Sequence, residues 1–186
     1  DSPIYQDIAR NRWVFYAVNN DFEQAKRLVA QNLSFIEDKF GAVSMEMADQ
    51  LTTIAQIFPK FQEFDYAIAS AKRAIAICDN LGQHKTKIAL NAKLTLAKCY
   101  LILGKIDSAK QAYSDVDFSA FSGTEILSEI VTTAGQVLCE LSEYDVVEQM
   151  CTDVFRRKNV DKFSLAQTYL LNAIVKEQKG ELDDAE

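Results

Sequence analysis

The chain has 186 residues, of which 48% are hydrophobic and 25% are charged, and its formal net charge is −7 at pH 7. This length suffices for a single domain or for a stack of small repeating units, and the balance of residues is that of a soluble globular protein. The negative charge argues against a surface specialised for nucleic acid or anionic lipid, because both require a positive field.

The numbers of prolines, glycines and cysteines and the hydropathy of the chain limit the fold class and the kinds of site that it can contain. Only two prolines and six glycines are present, too few for the many turns of an all-β protein. Cys78, Cys99, Cys139 and Cys151 lie 21, 40 and 12 residues apart, without zinc spacing or a dense disulfide pattern. We therefore expect buried, reduced, metal-free thiols and a cytoplasmic location. The sequence contains no apolar run of about 18 residues, so no membrane span is predicted. The chain begins without a methionine or a signal-like stretch, which indicates a piece of a longer protein.

A small residue recurs along the chain, three positions after an aromatic or aliphatic one. The pairs are Phe22 and Ala25, Phe64 and Ala67, Ile106 and Ala109, Tyr144 and Val147, and Leu182 and Ala185, so that the second members lie 42, 42, 38 and 38 residues apart. Twelve residues before each second member stands another recurrent position, occupied by Trp13, Ala55, Ala97, Gly135 and Ala173. Between the two positions we predict turns at Asn20, Gln62, Gly104, Ser142 and Gly180. A fixed period of this length is typical of a solenoid of stacked repeats.

Each repeat is expected to form two antiparallel helices. In the second repeat, Leu51, Ile54, Ala55 and Phe58 occupy the positions of one buried helical stripe, and a second stripe begins at Phe64. Paired helices approach closely only where one presents Ala or Gly to a bulky residue of the other, which explains the recurrent small residues. We therefore predict an all-α array of about four and a half helical hairpins. Its repeats span about residues 1–42, 43–84, 85–122, 123–160 and, incompletely, 161–186.

The motif L-A-x-x-Y-x-x-x-G-x-I-x-x-A-x-x-x-Y runs from Leu96 to Tyr113. Weaker copies, I-A-x-x-F followed by F-x-x-A-x-x-x-A and A-G-x-x-L followed by Y-x-x-V-x-x-x-C, lie within residues 54–71 and 134–151. In these residues the chain resembles the tetratricopeptide repeat (TPR) family, whose usual period of about 34 residues is shorter, so that lengthened helices are implied. The resemblance implies a right-handed superhelical solenoid. It also implies a concave groove, lined by the first helix of each repeat, that binds an extended peptide or a partner helix.

Three rows of side chains, registered on the recurrent small residues, are expected to line this groove. The implied lining residues are Arg10, Val14, Thr52, Gln56, Asn91, Leu94, Lys98, Glu129, Thr132, Gln136, Gln167 and Leu170. Hydroxyl and amide groups spaced one repeat apart are suited to bonding successive backbone groups of an extended chain, since each offers a donor and an acceptor. Leu94, Leu101 and Leu170 would supply apolar pockets for side chains of the ligand.

One TPR subgroup, which binds heat-shock chaperones, holds a terminal carboxylate with two lysines, two asparagines and an arginine. The corresponding positions here are Arg10, Val14, Thr53, Asn91 and Thr95, and only the arginine offers a charge of the right sign. The acidic side chains of Asp7, Asp49 and Glu129 would in addition repel a carboxylate. We therefore expect a basic, neutral or mixed ligand.

Enzyme motifs are absent from the sequence, including phosphate-binding loops, zinc-protease signatures and the nucleophile elbow. We therefore predict a non-enzymatic module that binds a protein or peptide segment, without a cofactor, a membrane or direct contact with nucleic acid. The alternative is the peptide-sensing regulatory half of a signalling or transcription-regulator protein, in which binding changes the pitch of the array.

Overall fold

The computed structural model describes residues 12–113, 134–157 and 160–181. Within these ranges the structure contains helices joined by turns and no β-strand, so the predicted all-α class is confirmed. The helices are α1 (12–18), α2 (Phe22–Phe40), α3 (Met45–Ile57), α4 (Phe64–Asn80), α5 (Lys87–Ile102), α6 (Ile106–Tyr113), α7 (134–140), α8 (Tyr144–Phe155) and α9 (Lys162–Lys179), with a short 3-10 helix (Phe58–Phe61) after α3.

Two compact bodies make up the chain, an N-terminal body of residues 1–99 and a C-terminal body of residues 100–186, and the division falls within α5. In the N-terminal body, α3 packs against both α2 and α4. In the C-terminal body, α8 packs against α9. The boundaries expected for the repeats, and their union in a single array, stay predictions.

The turn between the two helices of each repeat has the same backbone conformation all five times. The residues with positive φ at these turns are Asn20 (60°), Gln62 (64°), Gly104 (70°), Ser142 (60°) and Gly180 (75°), so the predicted turn positions are confirmed. In each case the next residue donates its backbone N–H to the carbonyl oxygen five residues earlier, as Lys105 does to Tyr100 at 2.8 Å. This bond satisfies a carbonyl group that the ending helix leaves free, which is why a left-handed residue stands there.

In the first four repeats the recurrent small residues lie in the interior on both sides of these turns, whereas Ala173 in α9 is exposed and Ala185 lies outside the described residues. Ala55 and Ala97 in the first helices, and Ala67 and Ala109 in the second helices, have no exposed surface. Small side chains at these places let the two backbones of a hairpin approach each other closely. The burial of these residues agrees with the prediction that they form the line of contact between the two helices of a hairpin, which we call the seam.

A continuous core fills the N-terminal body. Trp13 stacks on Phe58 with their ring centroids 5.8 Å apart, and both side chains are completely buried. Phe58 also contacts Tyr66 in α4, with 4.8 Å between the ring centroids. These rings connect α1, the short 3-10 helix and α4, and full burial of a large apolar side chain stabilises a protein by about 1.5–3 kcal/mol.

The C-terminal body is held together by α8 and α9. The Cys151 thiol donates to the Thr168 carbonyl oxygen at 3.7 Å, which places the buried stripes of the two helices in contact. At the other end of the pair, Lys179 Nζ lies 2.7 Å from both Asp145 Oδ1 and Glu148 Oε2. The hydrogen bonds to Asp145 and Glu148 raise the pKa of Lys179 above its usual value, because both carboxylates favour the charged ammonium group.

Two ion pairs join the second helices of successive repeats at one register. Lys26 Nζ lies 3.0 Å from Glu63 Oε2 in the N-terminal body, and Lys110 Nζ lies 3.0 Å from Glu143 Oε1 in the C-terminal body. Each lysine directly follows the recurrent small residue, and each glutamate stands four residues before that of the next repeat. Partly exposed pairs of this kind contribute only about 0–1 kcal/mol each. They show that the two bodies repeat the same side-chain register.

Gly135 marks a second close approach, between α7 and α9. A Cβ atom added at this glycine would lie 2.2 Å from Leu171 Cδ1 and 3.0 Å from Leu171 Cδ2. Leu171 is itself 4% exposed, so it has little room to move aside. The missing side chain at position 135 therefore lets the first helices of two successive repeats pack against each other.

Replacing Ala67 by leucine should destabilise the protein by about 1–3 kcal/mol, because α3 and α4 leave no space for the added atoms. Ala109→Leu should have a similar effect in α6. The matched control is Ala69→Leu, two residues along α4 and exposed, which should change stability by less than about 0.5 kcal/mol. Urea unfolding followed by circular dichroism measures the difference, and equal stabilities of the Ala67 and Ala69 variants would contradict the close approach.

Gly135→Ala should lower the free energy of unfolding by about 1 kcal/mol, because overpacking against Leu171 outweighs the better helix propensity of alanine. In a Leu171→Ala background the clash is removed, and the same substitution should raise the free energy of unfolding by about 1 kcal/mol. The measurement is a double-mutant cycle from denaturant unfolding. Identical effects of the alanine in both backgrounds would show that the two residues are not in contact.

Candidate functional site

One exposed polar position recurs in three of the first helices, directly after the recurrent small residue. This outer row consists of Gln56 in α3, Lys98 in α5 and Gln136 in α7, and all three residues are exposed. Val14 has the corresponding position in α1 and is partly buried. Each residue of the outer row is turned by about 100° around its helix from the buried small residue before it, and therefore points out of the seam.

The side chains of the outer row are not engaged by the rest of the described structure. No described residue forms a side-chain hydrogen bond or an ion pair with Gln56, Lys98 or Gln136. Each glutamine amide therefore keeps its donors and its acceptor for a partner, and the lysine keeps an uncompensated positive charge. Gln56 and Lys98 belong to the N-terminal body and Gln136 to the C-terminal body.

A second row, expected beside it, is largely interior. Thr52 is 4% exposed and Leu94 is 1% exposed, so the structure places both in the core rather than on an open face. The Thr52 hydroxyl donates to the Ala48 carbonyl oxygen at 2.8 Å, one turn back in α3. Its proton is therefore used within the helix and not held for a ligand. Leu170, at the same register in α9, is 56% exposed.

The remaining row expected in the groove contains Asp49, Asn91 and Gln167, which are all partly buried. Asp49 and Asn91 have interactions within the protein. The Thr53 hydroxyl, next to this row, donates to the Asp49 carbonyl oxygen at 3.0 Å. The threonine hydroxyls of α3 thus bond their own helix, whereas the amides and the lysine of the outer row are exposed. Arg10, Glu129 and Thr132, the other expected lining residues, lie outside the described residues.

Two exposed aromatic side chains of α9 are not among the residues expected from the sequence. Phe163 is 61% exposed and Tyr169 is 59% exposed, and they lie on the side of α9 away from its buried residues. In the sequence, the apolar residues of α9 fit a helical spacing on more than one side of the helix. The period that identifies a helix is satisfied by either side alone, so it does not single out these two residues.

Among solved structures, the chain is similar to a protein of Podosopora anserina described as a kinesin light chain with nearly identical TPR-like repeats. The match has a TM-score of 0.63 at 14% sequence identity and covers 97% of this chain and 87% of the other. A variant of the same protein matches with the same values. The chain has a TPR-like repeat fold. No family model and no curated protein matches the sequence.

The described part of this TPR-like fold contains no group of three or more His, Cys, Asp or Glu side chains that could hold a metal ion. In the same residues, no helix combines the length and the apolar character needed to cross a bilayer.

The four cysteines of the TPR-like repeats are free thiols, and three of them are buried. Burial raises the pKa of Cys99 and of Cys151 from 9.0 to about 11, because a thiolate loses hydration in the core. Burial also raises the pKa of Cys78 and Cys139. Since the thiolate is the reactive form, these thiols are protected from oxidation and alkylation near neutral pH.

We expect the native thiols to react with a thiol reagent at pH 8 at least about tenfold more slowly than in urea, because burial keeps them protonated and covered. The raised pKa values also predict a pH dependence of stability. The contribution of Cys99 and Cys151 is complete below an unfolded pKa of about 9 and is lost as pH rises through about 11.

Denaturant unfolding between pH 8 and pH 11 tests this dependence, with the Cys99→Ala, Cys151→Ala double variant as the control. The decline of the free energy of unfolding should be less steep in the variant than in the wild type. Parallel declines in the two proteins would show that these thiols do not titrate with raised pKa values.

Proposed function

We propose that this protein is a non-enzymatic interaction module that binds a protein or peptide segment through exposed polar side chains of its first helices. The observation that carries the proposal is the outer row. Gln56, Lys98 and Gln136 repeat one position of the TPR-like unit, are exposed, and have no described side-chain partner. Unused amide donors and acceptors at a repeated position are suited to the backbone of an extended ligand, which offers groups of both kinds at regular intervals.

The chemistry of this row favours one kind of ligand. Two neutral amides and one lysine provide no cluster of positive charge for a terminal carboxylate, and Val14, at the same position in α1, is apolar. Thr95, one of the positions of the carboxylate clamp, is 9% exposed. A neutral or mixed segment that contacts amides through its backbone therefore fits better than an acidic tail. The reduced state of the buried thiols is consistent with binding in the cytoplasm.

Peptides selected from a displayed random library against the wild-type protein provide the probe. Replacing Gln56, Lys98 and Gln136 together by alanine should weaken the binding of these peptides by at least about 1 kcal/mol, because hydrogen bonds to the peptide are lost. Stability should change by less than about 1 kcal/mol, because all three side chains are exposed and fill no core space.

The matched control replaces Gln24, Gln31 and Arg73 by alanine. These residues are exposed on the second helices, and their replacement removes the same groups as the outer-row variant loses, two amides and one cation. The control should bind the selected peptides as the wild type does, in isothermal titration of all three proteins. Full binding by the outer-row variant, together with loss of binding in the control, would place the binding surface on the second helices and reject the proposal.

A further inference from the structure

Two amide side chains are enclosed in the core of the N-terminal body. Asn32 in α2 is 8% exposed and Gln50 in α3 is 3% exposed. Their nitrogen atoms, Asn32 Nδ2 and Gln50 Nε2, are covered, and neither has a hydrogen-bond acceptor among the described residues. Each nitrogen carries two hydrogen atoms that water would bond in the unfolded chain. A folded protein normally gives such buried donors a partner, because leaving them without one lowers its stability.

The packing of α2 against α3 brings these two amides to nearly the same level. The helices are antiparallel neighbours, because only residues 41–44 join them. Phe22 in α2 contacts Phe61, just after α3, with 5.4 Å between the ring centroids, and this contact fixes the register of the pair. Asn32 comes ten residues after Phe22, and Gln50 comes eleven residues before Phe61. The two amide residues therefore lie within about 5 Å of each other along the helix axes.

The side chains next to the two amides offer no strong acceptor. Each amide is flanked, about one helical turn before and one turn after, by a buried side chain of the hydrophobic core. Aliphatic groups accept no hydrogen bond, and a thioether accepts only a weak one. A partner for the two amide nitrogens must therefore be small, polar and able to accept more than one bond. The flanking residues are Val29 and Ile36 in α2 and Met47 and Ile54 in α3.

The following repeat has no amide at either position. At the spacing of 42 residues that relates the first repeats, Ala74 stands in the place of Asn32 and Ala92 in the place of Gln50. Both alanines have no exposed surface. These positions of α4 and α5 are thus filled by small apolar side chains and contain no donor that needs a partner. The amide pair is therefore a property of α2 and α3 in particular, and the general repeat does not require it.

We propose that Asn32 and Gln50 together bind one buried water molecule between α2 and α3. The water oxygen accepts one hydrogen bond from each amide nitrogen, so that both covered donors have a partner. Packed helices have axes about 8–10 Å apart, a separation at which two amide side chains at one level can meet through a single water. The hydrogen atoms of the water are accepted by helix carbonyl oxygens, each of which keeps a second lone pair.

A crystal structure of the whole chain, at a resolution that shows ordered water, tests the site directly. We expect one water oxygen at about 2.7–3.2 Å from both Asn32 Nδ2 and Gln50 Nε2. A direct hydrogen bond between the two amides would overturn the proposal. So would an acceptor supplied by another residue of the chain, or a contact between α2 and α3 that contains no water.

Apolar replacements of similar shape test whether the two amides share one site. Gln50→Met and Asn32→Leu should each raise the equilibrium constant of unfolding at least about tenfold, because each leaves the other amide and the water short of a partner. The double variant should return to within about threefold of the wild type, because no buried donor remains.

The matched control is Gln31→Met, next to Asn32 but exposed, which should not restore the stability of Gln50→Met. Urea unfolding followed by circular dichroism measures all the variants and shows that each is folded. Effects of the two replacements that simply add would overturn the proposal, and so would recovery with the Gln31 control.

Discussion

The left-handed residue between the two helices of each hairpin determines where the first helix ends and which side chains of the two helices face each other. The bond that it allows, from the next N–H to the carbonyl five residues earlier, ends the first helix and reverses the chain. At Gln62 the reversal brings Ala55, seven residues before, and Ala67, five residues after, into the interior of the same hairpin. Gln62 and Ser142 adopt this conformation without being glycine, at a cost of about 1–2 kcal/mol each. Packing along the seam must offset that cost.

The register of the seam also separates what a partner can reach from what it cannot. In α3, α5 and α7 the residue directly after the small one, such as Lys98 after Ala97, is exposed, whereas Leu94, three residues before Ala97, is in the core. The ion pairs of Lys26 with Glu63 and of Lys110 with Glu143 obey the same register on the second helices. One constraint on the backbone of each turn thus fixes which side chains stabilise the fold and which are free to bind.

The sequence by itself determined the all-α class, the helical hairpins and the five turns, including those at Gln62 and Ser142, because the positions of the small residues repeat even where the turn residue is not glycine. It also identified the outer row. Only the tertiary structure decided which expected groove residues are accessible. Thr52 and Leu94 satisfy the spacing of an exposed row, yet they are buried, and the Thr52 hydroxyl bonds its own helix. The physical reason is that α3 packs against both α2 and α4, so its buried arc is wider than the single stripe that sequence periodicity reveals.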